Sequence, residues 1–343
     1  MKKSIKRAGA TVLVAALAFS AFVLPKTMAA IAIDTDASCA IEINVGKNVG
    51  GNYIELNTAP VEIDLYKVAS VAVTGDFTAD AGYETLEGDL TALDDKTTAE
   101  AWAAISAKAK ALIDAEDSTL APVTTVATEN GSVEVTGLET GLYLVDAQQT
   151  LTDYYQYDFT PYLISLPDNR YYNTGSDRWI YELTDDDAIG LKPLKSDRYG
   201  DLVIEKFLDV YNATNVGATF VFQIEGTKTD VDTGEEKVVI SDVVSMTFHN
   251  PGNDSLTIED IPAGSEVTVT EVYSGGSYKL TSDGSSTVTI IADEEDGAPA
   301  TVEFSNTYDD RHNGGTGLVN HFEYNTETGG WSHSASEDST TEQ

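Results

Sequence analysis

The chain is short of the residues that carry most protein chemistry: it has one cysteine and four histidines among 343 residues. A single cysteine excludes an internal disulfide, and one cysteine with four scattered histidines excludes the common zinc frameworks. Basic residues are scarce too, with 20 Lys+Arg against 57 Asp+Glu and a formal net charge of −37. That balance excludes nucleic acid as a partner, because neutralising phosphates needs clustered Lys and Arg. No apolar run long enough to span a membrane follows residue 30. Ser-His-Asp order and glycine-rich phosphate loops are missing as well, so neither an enzyme nor a cofactor is expected. The hydrophobic share of 41% is ordinary, and the chain is expected to fold despite its charge.

What is present first is an export signal. Lys2, Lys3, Lys6 and Arg7 precede an uncharged run from Ala8 to Leu24, which Pro25 breaks. Ala29, Ala30 and Ala32 then supply small residues for cleavage. Residues 1–30 therefore read as a signal peptide, and the mature chain as secreted and extracellular. Its loss removes five basic residues, leaving 15 against 57 acidic ones and a net charge of −42. Asp36-Ala37-Ser38 makes a poor lipobox before Cys39, which reads as an unpaired cysteine without function. Leu166-Pro167-Asp168-Asn169 is half of a sorting motif, but it is internal and reads as a strand end.

From residue 38 onward most segments alternate apolar and polar residues between Gly, Asn, Asp and Ser, the pattern of half-buried strands. Examples are Ile41–Val45, Val61–Leu65, Val133–Val135, Leu142–Leu144 and Arg178–Tyr181. One helix interrupts. Thr97 and Glu100 have capping-box spacing, and Trp102, Ile105, Ala109, Leu112 and Ile113 recur at helical spacing. A composition break at residues 185–198 divides the mature chain. The expected layout is a β domain over 31–197, a second over 200–310, and a glycine linker, a strand and a polar end over 311–343. The fold class is all-β, tandem sandwiches of immunoglobulin-like type with one helical insertion in the first.

The second domain breaks its own pattern three times. Lys206 continues the face of Leu202 and Ile204, Glu271 that of Val267 and Val269, and Asn306 that of Val302 and Phe304. An amine, a carboxyl and a carboxamide thus stand where apolar residues belong. One such residue would be a satisfied polar group; three of complementary chemistry need a common explanation.

Lys206, the run Ile261-Pro262-Ala263-Gly264 leading to Thr270-Glu271, and Phe304-Ser305-Asn306-Thr307 resemble the CnaB-type isopeptide domain of Gram-positive pilins. The resemblance implies that the lysine amine attacks the asparagine carboxamide with loss of ammonia. An apolar interior disfavours charge, which suits a neutral amine and a proton-donating carboxyl at Glu271. The bond is made once, so it is maturation, not turnover; the alternative is an uncrosslinked sandwich with a buried Lys206–Glu271 pair.

The first domain also resembles the N-terminal domain of such pilins, through Gly137-Leu138, Gly141–Val145, Phe159–Pro167 and Trp179–Tyr181. Lys67 continues the Val61, Ile63, Leu65 face, and Asp146 continues the Leu142, Leu144 face. They form a candidate second crosslinking pair, with a buried ion pair as the alternative. No asparagine completes that set; Asn173 sits in a turn. Shaft pilins carry a polymerising lysine in a Tyr-Pro-Lys setting, and here Lys192 stands in Gly190-Leu191-Lys192-Pro193, with the order changed.

Elsewhere, Asp230–Gly234 lacks the ligand pattern of a calcium loop and reads as a hairpin turn. No metal site is expected, although loose calcium binding at Asp185–Asp187 or residues 293–296 stays open. The expected function is a fimbrial or pilus-type surface subunit, with other surface subunits, and a host or extracellular ligand, as partners. The alternative is a secreted adhesin or ligand-binding module that never polymerises. The strand-like Leu318–Tyr324 on its glycine linker is suited to joining a sheet edge of a neighbouring subunit.

Overall fold

Period-two alternation becomes strand over most of the chain in a computed structural model, which describes residues 2–4, 32–45, 53–94, 97–169, 178–212, 216–294, 297–309, 319–325 and 330–336. The chain divides into two compact units that change over between Ser196 and Asp197; Met1–Ala10 and Asp153–Tyr155 group with the second. Of the expected signal peptide, all but Lys2–Ser4 lies outside the described residues. Among those residues no helix is long and apolar enough to cross a membrane.

In the first unit, Glu62–Val71 is the central strand of a sheet, flanked by Gly141–Ala147 on one side and by Thr124–Ala127 and Phe77–Ala79 on the other. A second sheet is built on Cys39–Asn44, which pairs with Ser132–Leu138, Glu182–Leu183 and Ile189–Gly190. The helix Ala99–Ile113 buries Trp102, Ile105 and Ala109 against Val68, Leu142 and Leu144. Its cap is Thr98, one residue later than the sequence pattern suggests: the Thr98 hydroxyl accepts from Ala101 N at 3.3 Å. Thr97 instead accepts from Asp94 N. Thr98→Ala is expected to cost this unit about 1 kcal/mol, seen as a lower urea midpoint. Arg178–Tyr181 is not a regular strand. Ile180 makes a lone bridge to Asp168, and Trp179 packs on the helix-side core, which draws the segment out of a ladder.

The second unit contains a sandwich. One sheet runs Gly252–Pro262, Tyr199–Leu208, Ala300–Tyr308, Tyr278–Leu280, with Lys2–Ser4 lying parallel to the outer side of Gly252–Pro262. The other runs Glu236–Phe248, Ala218–Thr229, Glu266–Tyr273, Ser285–Thr289. Their inner faces share one core that includes Leu202, Ile204, Phe220, Phe222, Ile258, Val269, Val302 and Phe304. The Ile261–Gly264 run carries the chain from one sheet to the other. Gly264 holds a left-handed φ of +80° there, a conformation that a side chain opposes. Beyond the sandwich, Val319–Asn325 and Gly330–Ser336 form a two-stranded antiparallel hairpin.

Candidate crosslinking site

Alternation places Lys206 inside: along Tyr199–Leu208 the buried residues are Gly200, Leu202, Ile204, Lys206 and Leu208. Ala300–Tyr308 runs parallel beside it, with Leu208 opposite Asn306, so the amine and the carboxamide lie on neighbouring strands of one sheet. Glu271 comes from the facing sheet. It ends the buried series Val267, Val269, Glu271, just where a bulge leaves Val272 without an opposite residue on Ala218–Thr229. Such bulges bend a strand and redirect the adjacent side chain.

The three groups close a triangle. Lys206 Nζ donates to Glu271 Oε2 at 2.5 Å and also to Asn306 Oδ1, while Asn306 Nδ2 donates to Glu271 Oε1 at 2.7 Å. The side chains of Lys206 and Glu271 are both 0% exposed, and Asn306 is fully buried. Every hydrogen-bonding group of the cluster therefore faces another of its members or the core. Above the amine, the ring centroid of Phe220 lies at 4.5 Å and that of Phe222 at 5.8 Å. Burial pulls the Lys206 amine below its ordinary value, and the hydrogen bond and charge of Glu271 oppose this. The two phenylalanines escape the sequence reading. Their signal is the apolar alternation Phe220, Phe222, Ile224, which marks a core face but not an aromatic wall against one amine.

The candidate pair in the first unit is not brought together. Antiparallel pairing sets Lys67 opposite Tyr143 and Asp64 opposite Asp146, so Lys67 and Asp146 project from opposite faces of the same sheet. Lys67 Nζ binds Glu139 Oε2 at 2.6 Å near the surface. Asp146 is buried under the helix, 3.6 Å from Lys110 Nζ, and burial raises its carboxyl while Lys110 opposes the shift. The alternative of a Lys67–Asp146 ion pair falls with the same geometry. Asn173 lies outside the described residues.

Lys192 is half-buried, with Nζ 4.5 Å from the Tyr162 ring centroid, and burial lowers its amine. The Asp230–Gly234 segment is a turn in which Asp230 Oδ1 accepts from the backbone of Asp232 and Thr233. Among the described residues, no group of three or more His, Cys, Asp or Glu is placed to hold a metal ion.

Residues 202–309 match a sequence family described as Domain of unknown function (DUF5979). No curated protein matches the sequence. Among solved structures the chain is similar to the Bacillus anthracis TIE protein, with 14% identity and a TM-score of 0.30 over 79% of this chain and 34% of that one. It is similar to the shaft pilin SpaA of Lactobacillus rhamnosus GG, with 11% identity and a TM-score of 0.25 over 79% of this chain and 98% of that one. It is also similar to the Corynebacterium diphtheriae major pilin SpaA, with 12% identity and a TM-score of 0.24 over 79% of this chain and 99% of that one. The chain thus spans about a third of the TIE protein and nearly the whole of both pilins.

Proposed function

We propose that the chain is an exported structural subunit of pilus or fimbrial type, displayed at a cell surface, whose second domain locks itself with an amide bond between Lys206 and Asn306. The observation that carries this reading is the sealed Lys206–Glu271–Asn306 triangle. A solvent-free amine touching a carboxamide, with one carboxyl bound to both, sets a nucleophile, an electrophile and a proton carrier together in one dry site.

The chemistry balances on these three residues. Neutral Lys206 Nζ attacks Asn306 Cγ and forms the new C–N bond. Glu271 takes the proton released by Nζ and delivers one to Nδ2, to which it is already hydrogen-bonded. The Cγ–Nδ2 bond breaks and ammonia leaves. Proximity supplies much of the acceleration, since all three groups are preset by the two sheets. The product ties Tyr199–Leu208 to Ala300–Tyr308 across a separation of 100 residues. A load applied at the ends of the domain would then bypass the strands between them.

The test is the intact mass of the exported protein with mapping of the joined peptides. A mass about 17 Da below that of the processed sequence supports the bond, one ammonia being lost; a mass equal to the sequence ends it. Lys67→Ala is expected to leave the deficit unchanged, because Lys67 contacts Glu139 and not a carboxamide. Whether subunits join covalently is read separately, as a ladder on denaturing gels of cell-wall extracts. In that assay Lys192→Arg is expected to remove the ladder if Lys192 is the joining amine.

A further inference from the structure

The second sandwich has one edge whose covering strand belongs to the segment read as an export leader. Lys2–Ser4 lies parallel to Thr257–Glu259, on the outer side of Gly252–Pro262. When residues 1–30 leave, that side of the sheet loses the strand lying along it, and bare sheet edges invite pairing with other chains. The tail offers the complementary element. Val319–Asn325 and Gly330–Ser336 pair only with each other among the described residues, and a two-stranded hairpin is marginal by itself in water.

Position, direction and reach all connect the two. Glu236–Phe248 ends its sheet, Gly252–Pro262 ends its own apart from Lys2–Ser4, and the two are consecutive strands, so they share one flank of the sandwich. Gly330–Ser336 already lies against Glu236–Phe248. The register puts Asn306 and Gly252 at the same end of the sheet, both opposite Leu208. A segment leaving Tyr308 there and running along Gly252–Pro262 travels parallel to it, the same sense as Lys2–Ser4. The slot is three strand spacings from Ala300–Tyr308, about 14 Å. The nine residues 310–318 can span up to about 30 Å, so the chain's own tail reaches it. A tether this short also gives the intramolecular partner a high effective concentration over a second copy.

We propose that removal of the leader hands the Gly252–Pro262 edge to the chain's own Val319–Asn325 strand, so that leader and tail are alternative occupants of one slot. This rests on reading residues 1–30 as a cleaved leader and is independent of the Lys206–Asn306 bond. The mature chain would then carry a covered edge, and the tail would be a structural strand instead of a free end.

Hydrogen exchange on residues 31–343 tests it. Amides of Gly252–Pro262 are expected to exchange about tenfold more slowly in the parent than in a Phe322→Pro, Glu323→Pro variant, whose strand lacks two donors. The parent is expected to stay monomeric on dilution. A second arm, Thr257→Cys with Phe322→Cys, is expected to form an intramolecular disulfide under mild oxidation, Cys39 being buried. Equal exchange in parent and variant, together with no intramolecular disulfide, overturns the proposal. Protection that disappears on dilution overturns it in favour of a second copy. N-terminal sequencing of the exported protein checks the leader separately: retained residues 1–30 would sink that reading without altering the outcome on residues 31–343.

Discussion

Asn306→Ala is expected to restore the mass calculated from the processed sequence and to lower the unfolding temperature of the second domain by about 20 °C. The carboxamide is the electrophile, so without it Lys206 has nothing to acylate it. The parent bond closes a 100-residue separation, and a crosslink over such a loop restricts the unfolded chain by roughly 4–5 kcal/mol, by analogy with disulfides. For a domain near one hundred residues, each kcal/mol is worth about 4–8 °C. A second loss adds to the first: the variant keeps an ionisable amine in the core that the parent had converted to a neutral amide, and leaves a cavity where the carboxamide stood. Calorimetry alongside intact-mass measurement checks both parts. If parent and variant shared one mass relative to their sequences, no bond was ever formed, and the stability difference would be ordinary cavity and hydrogen-bond loss.

The residues of this site were legible in the sequence because each strand announces its inward face by alternation, and three faces are continued by polar groups. Lys206, Glu271 and Asn306 are all buried as that pattern requires. What alternation cannot supply is register between strands. It places Lys67 on the Ile63, Leu65 face and Asp146 on the Leu142, Leu144 face, and both placements hold along their own strands. Only the pairing of Asp64 with Asp146 reveals that those faces point to opposite sides of one sheet. The partners that the two residues do find, Glu139 and Lys110, come from the turn before Gly141–Ala147 and from the helix. Neither is encoded in a local pattern.

Bulges were invisible for the same reason. The one at Val272 adjusts the end of the Glu266–Tyr273 strand at the carboxyl that bridges the two sheets, and nothing in Thr270–Tyr273 marks it. The helix cap moved by one residue because Thr97 and Thr98 are both competent caps, and Thr97 is engaged by the preceding turn. Composition argues against nucleic acid, and a single cysteine against an internal disulfide or the common zinc frameworks. It was silent about which charges matter, since the acids that decorate the surface and the one that bridges Lys206 and Asn306 count alike.

Glu271→Gln is expected to stop the reaction and leave a domain less stable than the Asn306→Ala variant near neutral pH. The substitution keeps shape and burial but removes the group that accepts and returns the proton. It also strips the buried amine of the carboxylate paired with it, and breaking a buried pair in this way costs about 3–5 kcal/mol. The pH dependence carries the sign. In the folded domain burial holds the Lys206 amine below its ordinary value of 10.5, with Glu271 opposing; removing Glu271 leaves only the lowering cause. The unfolded chain then binds the proton more tightly than the folded one. The penalty is full below the folded value and fades as pH rises from there toward 10.5, so the variant gains stability over that interval. The crosslinked parent has converted the amine to an amide and shows no such gain. Urea midpoints measured at pH 7 and at successive steps up to pH 10 check this. A rise with pH in the parent as well would mean that its amine is still free, and the crosslink would be refuted by titration as surely as by mass.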